Sequence, residues 1–212
     1  ETDKLRFVPD LNFFGTAGTF YFRAWDQTTN AAGNAGNRVN TSTNGGTTEF
    51  SSATDATTVT VTAVNDAPVL TAAGSSNLTA SGSNFTADNA FTTILEDPTI
   101  NNGDAVSTFL NSAAASDVET VGAVTGIAIT LTDQTNGDWQ FSTDGSNFTN
   151  FTASTSSSLL LDGANANHKV RFVPDANFNG TSSIKFRAWD KSSGAAGSTA
   201  TTTSVGGTTP FS

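Results

Sequence analysis

Apolar and polar residues alternate with a period of two along much of this chain, and almost nowhere with the period of a helix. In Ile184-Lys185-Phe186-Arg187-Ala188 the apolar side chains take one face and the cations the other, and Phe20-Tyr21-Phe22-Arg23-Ala24 repeats the pattern. Gly126 to Thr132 places Ile127, Ile129 and Leu131 inward, Trp139 and Phe141 follow on the next predicted strand, and Val59 and Val61 alternate with Thr in a later one. Leu5 and Phe7, like Val170 and Phe172, belong to a strand that stops at Pro9 or Pro174, where the ladder loses a donor. Asn102-Gly103, Asn136-Gly137, Asp144-Gly145 and Asn179-Gly180 supply turns between the runs. Short strands parted by such turns predict an all-β fold, a two-sheet antiparallel sandwich whose core draws on the sixteen Phe.

The strands come in two copies. RFVPDLNFFGT at Arg6–Thr16 returns as RFVPDANFNGT at Arg171–Thr181, an offset of 165 positions, and FRAWD at Phe22–Asp26 returns at Phe186–Asp190. GGTT at Gly45–Thr48 returns at Gly206–Thr209. A period this long repeats a whole domain rather than a solenoid unit of about 20–50 residues. Residues 1–65 therefore read as the C-terminal part of one repeat, and 66–212 as the following repeat without its last strand. The chain reads as a fragment of a longer array.

Composition narrows the partners. A net charge of −10 with nine Lys and Arg argues against nucleic acid and against an anionic membrane surface. The longest apolar runs are strand-length, so no membrane insertion is expected, and Glu1-Thr-Asp-Lys4 is no secretion signal. The absence of Cys removes disulfides, thiolate catalysis and zinc–thiolate sites together. An acidic, cysteine-free chain rich in Thr, Ser, Asn and Gly suits a large secreted bacterial protein, with Ca2+ as the expected stabilising cofactor because acidic loops supply its hard oxygen ligands. Plain surface solubility is the simpler account of the same charge.

The placement of the acids carries the calcium reading further. Val64-Asn65-Asp66-Ala67-Pro68 joins the two copies, and Pro68 stiffens the junction. Glu96-Asp97 follows Thr92-Thr-Ile-Leu95, Asp117 and Glu119 sit in Ala115-Ser-Asp-Val-Glu119, and Asp190 closes the second FRAWD. Asp117-x-Glu119 puts two carboxylates on one side of an extended loop, as capture of a divalent ion requires. The order Ile-Leu-Glu-Asp-Pro, Ser-Asp-Val-Glu, Arg-Ala-Trp-Asp and Thr-Val-Thr-Ala-Val-Asn-Asp-Ala-Pro resembles the cadherin-like repeats of giant bacterial surface proteins, including repeats-in-toxin (RTX) adhesins. That resemblance implies that Asn65, Asp66, Asp117, Glu119 and Asp190 share calcium at the junction, while Glu96 and Asp97 serve the far end of the second repeat. It also implies an extracellular, calcium-stiffened adhesin spacer or surface filament. The linker departs from the cadherin pattern at Ala63, where an extra Asp is usual, so fewer than three ions per junction are expected.

Other chemistry finds little support. The one His, His168, lies in a polar loop and reads as exposed, without a nucleophile beside it. Acids are plentiful, but nothing pairs them across a cleft as a glycosidase needs, so no enzyme is expected. Trp25 and Trp189 fall on the face opposite the Phe core: each is either a sugar-stacking platform, the mark of a carbohydrate-binding module with a glycan or cell-surface target, or a residue covered by the Gly-rich loop that follows. Finally, residues 52–64 contain a closing strand that the second repeat lacks, which reads either as simple excision from a longer polypeptide or as head-to-tail self-association in which a neighbouring copy donates that strand.

Overall fold

A computed structural model describes residues 4–28, 38–70, 77–80 (backbone), 91–109, 115–119, 124 and 126–212. It divides into two compact units, 1–63 and 64–212. The first contains β1 (Gly15–Thr16), β2 (Phe20–Phe22), β3 (Asp55–Thr57) and β4 (Thr60–Val61). The second contains β5 (Val69–Leu70), β6 (Asn77–Ala80), β7 (Asp104–Ala105), the single-turn α1 (Val106–Phe109), β8 (Ala115–Ser116), β9 (Gly126–Thr132), β10 (Gly137–Ser142), β11 (Thr149–Asn150), β12 (Ser158–Asp162), β13 (Lys169–Pro174), β14 (Ser182–Trp189) and β15 (Thr199–Ala200). Every strand pairing is antiparallel.

The second unit is a sandwich of two main sheets, one ordered β11-β10-β13-β7 and the other β15-β12-β9-β14-β6. Alternation explains its core. Trp139, Val170 and Phe172 of the four-stranded sheet meet Ile127, Ile129, Leu159, Leu161, Ile184, Phe186 and Ala188 of the five-stranded sheet in one buried cluster. Trp139 is its centre: its ring lies 5.1 Å from that of Phe91 and 5.2 Å from that of Phe172. Its indole N–H donates to Asp133 O and Ser182 Oγ, at 3.0 and 2.9 Å. The intervening residues Ala128 and Leu160 of the five-stranded sheet point the other way, and there they join Trp189 and Phe211 in a second, smaller cluster. The unbroken Leu159-Leu160-Leu161 run is thus the mark of a strand buried on both faces.

One inward assignment is overturned. Leu131 is 41% exposed, although strict alternation from Ile127 places it inside. Lys185 pairs with Leu131 and Phe186 with Ile129, so Thr130 is an extra residue in β9. Such a bulge shifts the phase of every later side chain by one. Leu131 follows exposed Lys185 outward, and Thr132 turns inward opposite Ile184, where its hydroxyl accepts from the Ala153 amide at 3.2 Å.

The first unit repeats local details of the second but not its core. Asn12 and Asn177 share a φ near +60° (61 and 59), as do Gln27 and Lys191 (64 and 65). Both GGTT turns carry two successive glycines at positive φ, which side chains rarely adopt. The strand expected around Leu5 and Phe7 is not seen: its counterpart β13 is held by β10, whereas among the described residues no strand pairs with the Leu5–Phe7 stretch. Phe7 is accordingly 47% exposed, whereas its counterpart Phe172 is 5% exposed.

This contrast sets a test. Phe172→Ala should cost the second unit about 3–5 kcal/mol, and Phe7→Ala less than about 1 kcal/mol. Urea unfolding of the two variants, followed by Trp fluorescence, checks both values.

Candidate metal centre

Five of the seven acidic or amide candidates lie around the segment that opens the second unit. Asn65 Nδ2 donates to Asp190 Oδ2 at 2.9 Å, and more weakly to Thr209 O at 3.4 Å. The backbone N–H of Asp66 donates to Glu119 Oε2 at 3.0 Å, and the next amide, of Ala67, donates to Gly207 O at 2.7 Å. Asn65 and Asp66 thereby bring together Asp190, at the end of β14, and Glu119, just after β8. Asp117 lies two residues before Glu119 on the same short segment. Asn65, Asp66, Asp117, Glu119 and Asp190 are all half-buried.

Local turns hold these groups. Asp190 Oδ1 accepts the Ser192 amide at 2.7 Å, an Asx turn that fixes the carboxylate and accompanies the positive φ of Lys191. The Lys191 ammonium reaches Asp162, at 3.2 Å, rather than its neighbour Asp190. In the first unit Asp26 makes the equivalent turn with Thr28, whose amide and hydroxyl hold its carboxyl below the usual range. Phe211 bridges Trp189, and Gly206 N donates to Phe211 O at 3.0 Å, which presents the Gly207 and Thr209 carbonyls to the linker. Those carbonyls were not foreseen; the recurrence of GGTT was their only trace in the sequence.

Glu96 and Asp97 do not join this group. Asp97 Oδ1 accepts the Asn177 amide at 3.2 Å, and Glu96 Oε2 accepts from Asn179 Nδ2 at 3.5 Å. They therefore sit against the loop that leads into β14, while Asp190 follows its last residue. An extended strand of these eight residues spans roughly 25 Å, so the two sets occupy opposite ends of β14.

The donor chemistry of the junction set suits a hard cation: one amide and four carboxylates offer oxygen ligands only. Their contacts are two pairs linked through Asn65-Asp66, and among the described residues no group of three or more His, Cys, Asp or Glu side chains converges as a metal site. Comparison with family models, curated proteins and solved structures gave no match for the chain.

Two further residues depart from expectation or resolve an alternative. Trp189 is buried, and its indole N–H donates to Ser193 O at 2.8 Å, so the loop that follows covers it. The corresponding loop after Trp25 lies outside the described residues. His168, expected to be exposed, is 6% exposed, and its Nδ1 accepts the Asp162 amide at 2.9 Å. Its role is to pin the loop between β12 and β13.

Burial lowers the pKa of His168 below its ordinary 6.5, with the Asp162 charge opposing the shift. The folded state thus binds a proton less readily than the unfolded chain, and the stability it contributes is present above pH 6.5 and declines as pH falls below that value. Between pH 7.5 and 5.5 the wild type should lose stability, by at most about 1.4 kcal/mol per pH unit. His168→Asn, which keeps an acceptor at the Nδ1 position, should flatten that slope in thermal melts.

Proposed function

We propose that this chain is a segment of cadherin-like repeats in an extracellular bacterial protein, a spacer whose junction is stiffened by calcium. The observation that supports the reading is the meeting of Asn65-Asp66 with Asp190 and Glu119, side chains that are 125 and 53 residues away along the sequence. Asp66, Asp117, Glu119 and Asp190 lie on the segments that meet at Asn65-Asp66, and a divalent ion bound among them would offset their like charge. Asn65, Asp66, Asp117, Glu119 and Asp190, all in the second unit, would hold the ion, which would supply charge neutralisation and fix the entering segment 65–66 against the end of β14. Asn65 offers its amide N–H to Asp190, which keeps the two side chains together. Glu96, Asp97 and the loop at Asn177–Asn179 form the corresponding acidic end at the far side of the unit. The two-sheet sandwich and the local duplication fit a tandem array built for length. The carbohydrate-binding alternative is less favoured at Trp189, which is buried and offers no stacking platform, while Trp25, the other candidate, is half-buried.

Calcium at ~10 mM should raise the melting temperature by about 3–10 °C, the range given by Kd values of extracellular modules and the linkage relation. Chelation should reverse the shift. Asp190→Asn combined with Glu119→Gln should abolish it while leaving the calcium-free melt nearly unchanged. An identical melt with calcium and with chelator, together with an unchanged scattering profile, would overturn the proposal.

A further inference from the structure

Four Asn-Gly pairs occur in the sequence, Asn44-Gly45, Asn102-Gly103, Asn136-Gly137 and Asn179-Gly180, and the fold treats the last of them differently. Gly45, Gly103 and Gly137 all hold positive φ, at 73, 65 and 150°. Each is also packed. A side chain begun on Gly45 would come within 3.0 Å of Ser52 Cβ, one on Gly103 within 3.0 Å of Val170 O, and Gly137 is buried opposite Pro174 at the start of β10. In Asn179-Gly180 both residues are exposed, and Gly180 lies outside that region of φ. The pair sits between two anchors: Phe178, whose ring lies 6.5 Å from that of Phe172, and Ser182, the buried first residue of β14. Beside it, Asn177 N donates to Asp97 Oδ1 at 3.2 Å and Asn179 Nδ2 reaches Glu96 Oε2 at 3.5 Å. Phe14 takes the position of Asn179 in the first copy, so this pair is not part of the duplicated pattern.

We propose that Asn179 is a self-modifying site, which converts in the folded protein to aspartate and isoaspartate with water as the only co-reactant. The main-chain nitrogen of Gly180 gives up its proton and attacks Cγ of Asn179. The N–Cγ bond forms, the Cγ–Nδ2 bond breaks, and Nδ2 leaves as ammonia with that proton. Water then opens the five-membered imide. Cleavage of the N–Cγ bond yields aspartate; cleavage of the bond from the same nitrogen to the Asn179 main-chain carbonyl carbon yields isoaspartate, whose chain runs on through Cγ. Nothing is oxidised or reduced. Glycine favours the attack because it has no Cβ to hinder its nitrogen. Ring closure also requires the pair to leave its resting conformation, and such local opening costs least where both residues are exposed and outside a strand. The product reverses a contact: an amide that donates to Glu96 becomes a carboxylate facing it, on the loop that also holds Asp97. Like charges brought together disfavour each other, so conversion loosens the loop from Glu96-Asp97. Isoaspartate adds a main-chain methylene just before β14 as well. The inference is independent of calcium.

Peptide mapping by mass spectrometry tests it, on the whole chain held folded with chelator present and sampled over days, with aspartate and isoaspartate products separated by chromatography. Asn179 should convert at least tenfold faster than Asn44, Asn102 and Asn136, and at least threefold faster at pH 9 than at pH 7. In guanidinium chloride the four sites should convert at similar rates, which assigns the selectivity to the fold. Asn179→Gln, whose longer side chain closes no five-membered ring, should abolish the product at this site and leave the melting temperature unchanged. Asn179→Asp, which carries the charge of the product, should lower the melting temperature by about 1–3 °C at low salt and by less at high salt. Conversion of Asn179 no faster than that of the other three sites in the folded chain would overturn the proposal. An Asn179→Asp melt identical to that of the wild type at low salt would overturn the loosening of the loop.

Discussion

β14 is the strand on which the second unit depends, because it is engaged in all four directions. β9 pairs with one edge; β6 and Phe211-Ser212 share the other. Ile184, Phe186 and Ala188 fill the space between the sheets, and Trp189 anchors the smaller cluster behind them. The buried backbone groups of such a strand must be paired on both edges, since an unpaired buried amide costs roughly as much as a lost hydrogen bond. The acidic groups are positioned by the same strand: one set at the loop that enters it, the other where it leaves.

Much of this was legible in the chain, and the reasons for the exceptions are physical. Alternation located the strands around Ile127, Trp139, Phe172 and Phe186, because each faces a shared interior on one side. It misplaced Leu131, since a bulge is a backbone event and Thr130 carries no mark that distinguishes it from a regular strand residue. It read Leu5 and Phe7 as a strand because a strand's propensity is local, whereas its hydrogen bonds belong to a partner, and among the described residues no strand pairs with them. His168 looked like an exposed polar residue in a polar loop; only the return of the chain from β12 to β13 buries it.

The junction residues show the same division. Asn65, Asp66, Glu119 and Asp190 were singled out by type and by order, and the Asn65 side chain does meet that of Asp190, as the Asp66 backbone amide meets that of Glu119. Glu96 and Asp97 were set apart from them by the resemblance rather than by spacing, and in the structure the length of β14 separates the two sets. The carbonyls of Gly207 and Thr209 were invisible for another reason: a backbone oxygen is present at every residue, so its use leaves no signature in composition.

The arginine of the repeated FRAWD segment has a consequence for divergence among such units. Arg23 and Arg187 grip main-chain oxygens rather than side chains, so the clasp does not read the identity of the residues it holds. Substitution at Ser52 or Ala53 leaves those acceptors in place. Copies tied in this manner are free to drift apart in sequence along the clasped segment while the route of the polypeptide across the sheet edge is inherited unchanged.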